Sequence, residues 1–351
     1  MRIEAWATSS ITLGWYRAVV PLRELAAHGH HVVIRRVQND DNTPATGWPL
    51  PVLWTSPGAD VEAVPEVLFF HRVYVPSLIA RINRMAATTR IVFGLDDDMF
   101  GSGFTPPVTG PGAHGLPGGY NPAAVMRDRV AACLRVAHSV IVTTQPLAKV
   151  ATQHGARRVD VVPNYLPRCY LDHPRAAHRP DRFVIGWGGT ESHRGDLNSI
   201  QRPVLDAVSA HPDNHVHLIG YRDGSLWANL PPRQRTYTPH RDRWAYFNAL
   251  NFDVGLAPAR RTAVNASRSD AKVLEYATRG IPSIAAPTGE SATFVRTSGS
   301  GLLAATDEEW TDALERMRDP ELRRDFSDAA RQAAATRAIE DHWWLWLDAL
   351  S

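Results

Sequence analysis

Cysteine is scarce. Cys133 in an apolar helical stretch and Cys169 in a Pro/His/Arg-rich one are the only two in 351 residues, too few for a disulfide framework and without metal-ligand spacing. Both are expected to be incidental thiols of a reducing compartment. Charge of one sign is also in short supply, because 38 Lys+Arg stand against 36 Asp+Glu and leave a formal +2. Such a chain has no general attraction to nucleic acid or to an anionic membrane, so an anionic ligand has to be met by a local cluster. No apolar run approaches the roughly 18 residues of a membrane-crossing helix. Met1–Trp6 lacks the basic and then apolar pattern of a secretory signal, so a cytoplasmic protein is expected. No His-Glu-x-x-His, Cys/His cluster or Gly-x-Ser-x-Gly elbow occurs among the 15 histidines and the serines. Zinc-hydrolase and serine-hydrolase chemistry therefore have no sequence support, and neither a metal nor a cofactor is expected.

What is present is an ordinary globular composition, 44% hydrophobic and 21% charged, long enough for two domains. Short β-branched and aromatic runs alternate with amphipathic segments, the pattern of βαβ units with parallel sheets. Strands are expected at Arg2–Thr8, Val32–Arg35, Glu66–Phe70, Arg90–Leu95, Ser139–Thr143 and Val159–Val162, with helices at Arg17–His28, Pro76–Met85, Ala123–Ala137 and Pro146–His154. From Tyr165 to Arg182 three prolines mixed with His and Arg interrupt the pattern, which predicts an extended linker. A second alternation follows, with strands at Phe183–Trp187, His215–Ile219, Asp253–Leu256, Pro282–Ala285 and Gly301–Leu303. The expected division is 1–165, a linker 166–182, a second domain 183–334, and a C-terminal helix 335–351 that packs back on the first domain. Trp343, Trp344, Trp346 and Leu347 would form the apolar face of that helix.

The most informative segment runs from Phe252 to Pro282: a strand to Pro258, a polar loop to Ser269, then a helix started by Ser/Asp capping and stopped at Gly280. Arg268, Lys272 and Glu275 are spaced by four and three and would share one helix face. Helix-start amides and two cations suit a diphosphate, and a carboxylate further along suits ribose hydroxyls. The same spacing also fits a solvated face with internal ion pairs. Gly188-Gly189 directly after a strand either allows the backbone to approach an anion or simply makes a tight turn. The surrounding Gly186–Leu197 stretch does not match a GxGxxG dinucleotide fingerprint, which disfavours a nicotinamide dehydrogenase. In the first half, Asp96, Asp97 and Asp98 follow a strand. They either cap a turn and pair with Arg72 or Arg90, or contact an acceptor. His71 is either polar lining or an acceptor contact, and the Gly/Pro-rich run Gly101–Gly119 suggests a flap.

The segment holding Asn265, Arg268, Ser269, Lys272, Glu275, Tyr276, Gly280 and Pro282 resembles the donor-binding region of the retaining, two-domain glycosyltransferases of group 1 (GT4-like). The resemblance implies an α/β GT-B fold, two Rossmann-like domains with parallel sheets facing a central cleft. It implies diphosphate binding by Arg268, Ser269 and Lys272, the catalytic charges being Arg268 and Lys272, and ribose binding by Glu275. The better-known members carry a second Glu eight residues earlier, where Ser267 stands here, so Asn265 and Ser267 become the substitutes for a sugar contact. The stretch Gly188, Gly189, His193 and Arg194 is similar to the family's first βα loop, which makes these residues donor candidates. More loosely, Gly14-Trp15-Tyr16-Arg17 is similar to the family's first loop, implying a donor role for Gly14 and an acceptor role for Tyr16 and Arg17. Val162-Pro163-Asn164 resembles its inter-domain junction, and the Asp96–Asp98 turn one found in bacterial members.

The expected activity is transfer of a sugar from a nucleotide-diphosphate sugar to a hydroxyl acceptor with retention of configuration. Acceptor classes range over glycans, lipid-linked glycans, natural products, proteins and modified bases. A non-catalytic nucleotide- or carbohydrate-binding homologue and a nucleotide-sugar epimerase share the architecture and stand as alternatives.

Overall fold

The computed structural model describes residues 1–7, 14–36, 52–72, 84–85, 88–101, 122–222, 224–239 and 242–351. The Pro76–Met85 helix and the Gly101–Gly119 flap fall outside these apart from their terminal residues. The chain divides into two compact units, Met1–Leu166 with Ile339–Ser351, and Pro167–Ala338.

The first unit is built on a seven-stranded sheet in the order β3-β2-β1-β4-β5-β6-β7. The strands are β1 (Arg2–Ala7), β2 (His31–Arg36), β3 (Val52–Thr55), β4 (Val67–His71), β5 (Arg90–Leu95), β6 (Ser139–Val142) and β7 (Val159–Val161). Only β3 runs antiparallel, on β2. Side chains alternate between two apolar faces, which is why the strands read as continuous β-branched and aromatic runs. Ile3, Ala5, Val67 and Phe69 lie on one face with the C-terminal helix Trp343–Leu350. Trp6, Leu68, Phe70 and Phe93 lie on the other with Val130 and Leu134 of the Pro122–Val136 helix. Trp346 is buried edge-on to Phe69 with centroids 5.9 Å apart, and Trp343 stacks on His28. Trp344, assigned to the same apolar face from sequence, instead remains 49% exposed, because its helix buries Trp346, Ala349 and Leu350.

The helix after β1 begins two residues earlier than expected, with a wide π-helical turn at Trp15–Val19 ahead of the α-helix Val20–Ala27. Pro21 lacks the N–H that a regular ladder would use here, and Gly29 at φ 87° follows the helix end.

The second unit carries a six-stranded parallel sheet ordered β10-β9-β8-β11-β12-β13. These are β8 (Phe183–Gly188), β9 (Asn214–Ile219), β10 (Arg235–Thr238), β11 (Val254–Ala257), β12 (Ser283–Ala285) and β13 (Gly301–Leu303). The order runs outward in one direction from β8 and in the other from β11, so the switch point lies between their carboxyl ends. The Tyr165–Arg182 stretch is not extended. It holds a helical turn, Arg168–Leu171, whose Tyr170 is buried and stacked on Phe247 at 4.1 Å, and its main chain bonds Asn251 and Arg279. Aromatic burial outweighs the loop propensity of the prolines there.

Candidate functional site

At the β8/β11 switch point the loops after the two strands converge. Gly188 ends β8, and its N–H donates to the Tyr276 hydroxyl at 3.0 Å. A Cβ at Gly188 would lie 2.5 Å from the Tyr246 hydroxyl, and one at Gly189 would lie 2.6 Å from the Trp187 ring and 3.2 Å from the Lys272 ammonium. Both glycines therefore leave room for these neighbouring side chains.

After β11, Thr262 caps a short helix, Ala263–Ser267, its hydroxyl accepting from the Asn265 N–H at 3.2 Å. Arg268 then breaks the chain direction at ψ 146° before the helix Ala271–Thr278. Two expectations need correction. Arg268 does not lie on the face of the Lys272–Glu275 helix, because its backbone is extended. Asp270 at the helix start makes no side-chain cap, because its carboxylate pairs with Arg337 at 2.8 Å. The first turn of this helix thus carries no side-chain acceptor from its own cap residue.

Asp196, in the short helix Arg194–Asn198 after β8, gathers the site. Its side chain, 3% exposed as a residue, accepts from Asn265 Nδ2 at 2.8 Å, Arg268 at 3.1 Å and the Arg260 N–H at 3.1 Å. Burial alone would raise its pKa, but the hydrogen bonds from His193, the Arg260 amide and Asn265, with the Arg268 charge, hold it well below the usual carboxylate range. Arg268 also donates to Asn265 Oδ1 at 2.7 Å and lies 3.1 Å from His193 Nδ1. Desolvation pushes His193 down to about 4, the neighbouring Lys272 and Arg268 charges adding to it against the hydrogen bond with Asp196.

Lys272 donates to the Gly188 carbonyl and lies 4.7 Å from the Trp187 ring centroid. Desolvation pushes its pKa down to about 8, with Glu275 and Asp196 opposing the fall and Arg268 adding to it. Glu275, 5% exposed, is ion-paired with Arg243 and accepts from the Tyr246 hydroxyl at 3.2 Å. Ser269 is half-buried between Arg268 and Asp270. Asn265 has its amide on Asp196 and the Arg260 carbonyl, and the Ser267 hydroxyl donates to Val264 O at 2.9 Å, so both side chains are engaged in shaping the loop. Arg194 is exposed and pairs loosely with Glu191 at 3.8 Å.

Sequence reasoning overlooked Asp196, Arg243, Tyr246 and Arg260. Arg260 had a usable signal, since Arg260-Arg261 follows β11 at the switch point. Asp196 lay inside the glycine-rich segment but carries no motif of its own.

In the first unit, Arg17 is 1% exposed and donates to the carbonyls of Val162 at 2.6 Å and Pro163 at 3.3 Å, with its guanidinium 4.6 Å from the Trp346 ring centroid. It ties the Val162–Asn164 segment to the core. Tyr16 is buried in the π-helical turn, and Gly14 precedes that turn. Arg72, at φ 56°, pairs with both Asp96 and Asp97, while Asp98 Oδ1 accepts from the N–H groups of Phe100 at 2.9 Å and Gly101 at 2.8 Å. The aspartate turn is thus capped and ion-paired. His71 is 0% exposed, its Nε2 3.5 Å from Asp96 Oδ2, and neither ring nitrogen makes a hydrogen bond. Burial pushes its pKa down, with the Asp96 charge opposing. Among the described residues no group of three His, Cys, Asp or Glu is placed to hold a metal ion, and no helix is long and apolar enough to cross a membrane.

No protein-family model matches the sequence, and no curated protein matches it. Solved structures do match in fold, and the class they define is the GT-B architecture of glycosyltransferases. Sucrose-phosphate synthase from Thermosynechococcus elongatus superposes with a TM-score of 0.67 at 14% identity, over 99% of this chain and 97% of that one. The Anabaena protein HepE, solved in complex with UDP-glucose, gives 0.63 at 12% identity over 100% of both chains. The pneumococcal O-GlcNAc transferase GtfA, solved with UDP and GlcNAc, gives 0.58 at 11% identity over 81% of this chain and 56% of its own. At these identities the likeness is one of fold.

Proposed function

We propose that this chain is a retaining glycosyltransferase that binds a nucleoside-diphosphate sugar in its C-terminal unit and transfers the sugar to a hydroxyl acceptor. The observation that carries the reading is the meeting of Lys272, Arg268 and His193 beside Gly188-Gly189 at the switch point, with Glu275 one helical turn beyond Lys272. Ligands of open parallel sheets bind at such a point. The UDP and UDP-glucose in neighbours of the same fold are consistent with it.

In this proposal Lys272, Arg268 and the start of helix Ala271–Thr278 stabilise the charge that develops on the leaving diphosphate, while Glu275 accepts from ribose hydroxyls. Gly188, Gly189 and Ser269 approach the phosphates through their backbone, and His193 and Arg194 line the donor side. The bond from the anomeric carbon to the phosphate oxygen breaks as the acceptor oxygen bonds on the same face. The acceptor proton passes to the departing phosphate oxygen. No covalent nucleophile and no metal are required. On the acceptor side we assign His71, whose Nδ1 makes no hydrogen bond and whose Nε2 faces Asp96 Oδ2 at 3.5 Å. Asp96 orients His71, and Arg72, Asp97 and Asp98 shape the turn beside it. Incubation with α-linked nucleotide sugars, with products followed by NMR, tests the reading: an α-linked product or released α-sugar supports it. A β-linked product contradicts retention, and an isomerised but intact nucleotide sugar points to the epimerase.

A further inference from the structure

Glu275 is a buried carboxylate held from one side by two residues of a single helix, Arg243–Ala249. Arg243 is itself fixed. Its Nε donates to the Tyr170 hydroxyl at 3.3 Å, its guanidinium carbon lies 5.1 Å from the Tyr246 ring centroid, and it is the first residue of a helix capped by Asp242, whose Oδ1 accepts from Ala245 N–H at 2.8 Å. Tyr246 touches two things at once, because its hydroxyl donates to Glu275 and stands where a Cβ of Gly188 would collide with it. The Glu275 carboxylate therefore lies one side chain away from the glycines after β8, on the same helix face as Lys272.

A buried ion pair is a poor device for stability alone, since apolar residues of similar volume often do as well or better. Both oxygens of this carboxylate are anchored, which fixes its plane. A hydroxyl reader needs that property, because two adjacent O–H groups are met only by a carboxylate of defined orientation. We infer that Arg243, assisted by Tyr246, is a positioning residue that orients Glu275 to recognise the vicinal diol of the donor's ribose. This rests on the donor reading proposed above.

Calorimetry on the full chain with UDP, 2′-deoxy-UDP and inorganic pyrophosphate tests it. The wild type is expected to prefer UDP over its 2′-deoxy form by about tenfold, the value of a hydrogen bond to a charged group. Arg243→Ala should bring that ratio close to one and leave pyrophosphate affinity within about twofold, and Arg243→Lys should restore only part of the ratio because it lacks the planar fork. Tyr246→Phe, nearly isosteric, serves if Arg243→Ala fails to fold, and should reduce the ratio without changing pyrophosphate binding. Variants in which UDP and 2′-deoxy-UDP weaken equally would show a merely structural role and overturn the inference. So would a wild type that binds both nucleotides alike. A wild type that binds none of the three ligands, nor GDP or ADP, would overturn the donor reading itself.

Discussion

Asp196→Ala is the most demanding single perturbation of the site. In the folded chain its carboxylate accepts from Asn265, Arg268 and the Arg260 amide, and it is nearly inaccessible. Removing one partner of a fully buried pair costs about 3–5 kcal/mol. The Arg268 side chain keeps 23% of its exposure, so water recovers part of its charge and the expected loss is roughly 2–4 kcal/mol. For a unit of this size that corresponds to a fall in Tm of about 5–15 °C. The loss should depend on pH in a definite direction. Because hydrogen bonding depresses the folded pKa of Asp196 below its ordinary 3.8, its contribution is present above about pH 4 and disappears as pH falls further. The Tm difference between wild type and variant should therefore be constant from pH 6 to 8, and shrink under acid. Nucleotide affinity should fall with it, since Arg268 and His193 lose the group that places them. Scanning calorimetry with a UDP titration measures both. A variant melting within about 1 °C of wild type with unchanged affinity would refute the reasoning, because no buried network of this kind is lost so cheaply.

Further outcomes follow from single contacts. Gly188→Ala places a Cβ 2.5 Å from the Tyr246 hydroxyl and should lower nucleotide affinity by about tenfold or more while the fold persists, read by calorimetry and circular dichroism. Lys272, with its pKa pushed down to about 8, should take up about half a proton when a diphosphate binds at pH 8, so affinity should be full below that pH and decline above it. Titrations in two buffers of different ionisation enthalpy detect that uptake. Trp346→Ala removes the most deeply buried tryptophan of the C-terminal helix from the first unit's core and should destabilise it by about 3–5 kcal/mol in a denaturant melt.

The central strands were legible because they hold short apolar runs rich in β-branched and aromatic residues; Arg90–Leu95 agrees to the residue, as does the apolar edge strand Gly301–Leu303. The strands β3 and β10 escaped notice. Both are four-residue edge strands, one among prolines and the other reading Arg-Thr-Tyr-Thr, and neither carries a continuous apolar signal. Periodicity placed Lys272 and Glu275 correctly on one helix but carried Arg268 onto it as well, because spacing alone does not register a break at ψ 146°. The partners of the charged residues were the least visible. Asp196 meets Arg268 across 72 residues and Arg243 meets Glu275 across 32, distances that only the parallel topology closes.

The central claim is that Lys272, beside Gly188-Gly189, holds the diphosphate of a nucleotide sugar. Isothermal calorimetry of UDP, GDP and ADP on the wild type and on Lys272→Met tests it most directly. The account expects at least one of the three to bind the wild type, and Lys272→Met to weaken that binding by about 30- to 100-fold while retaining the wild-type melting profile. Binding of equal strength to both proteins, or to neither, would contradict it.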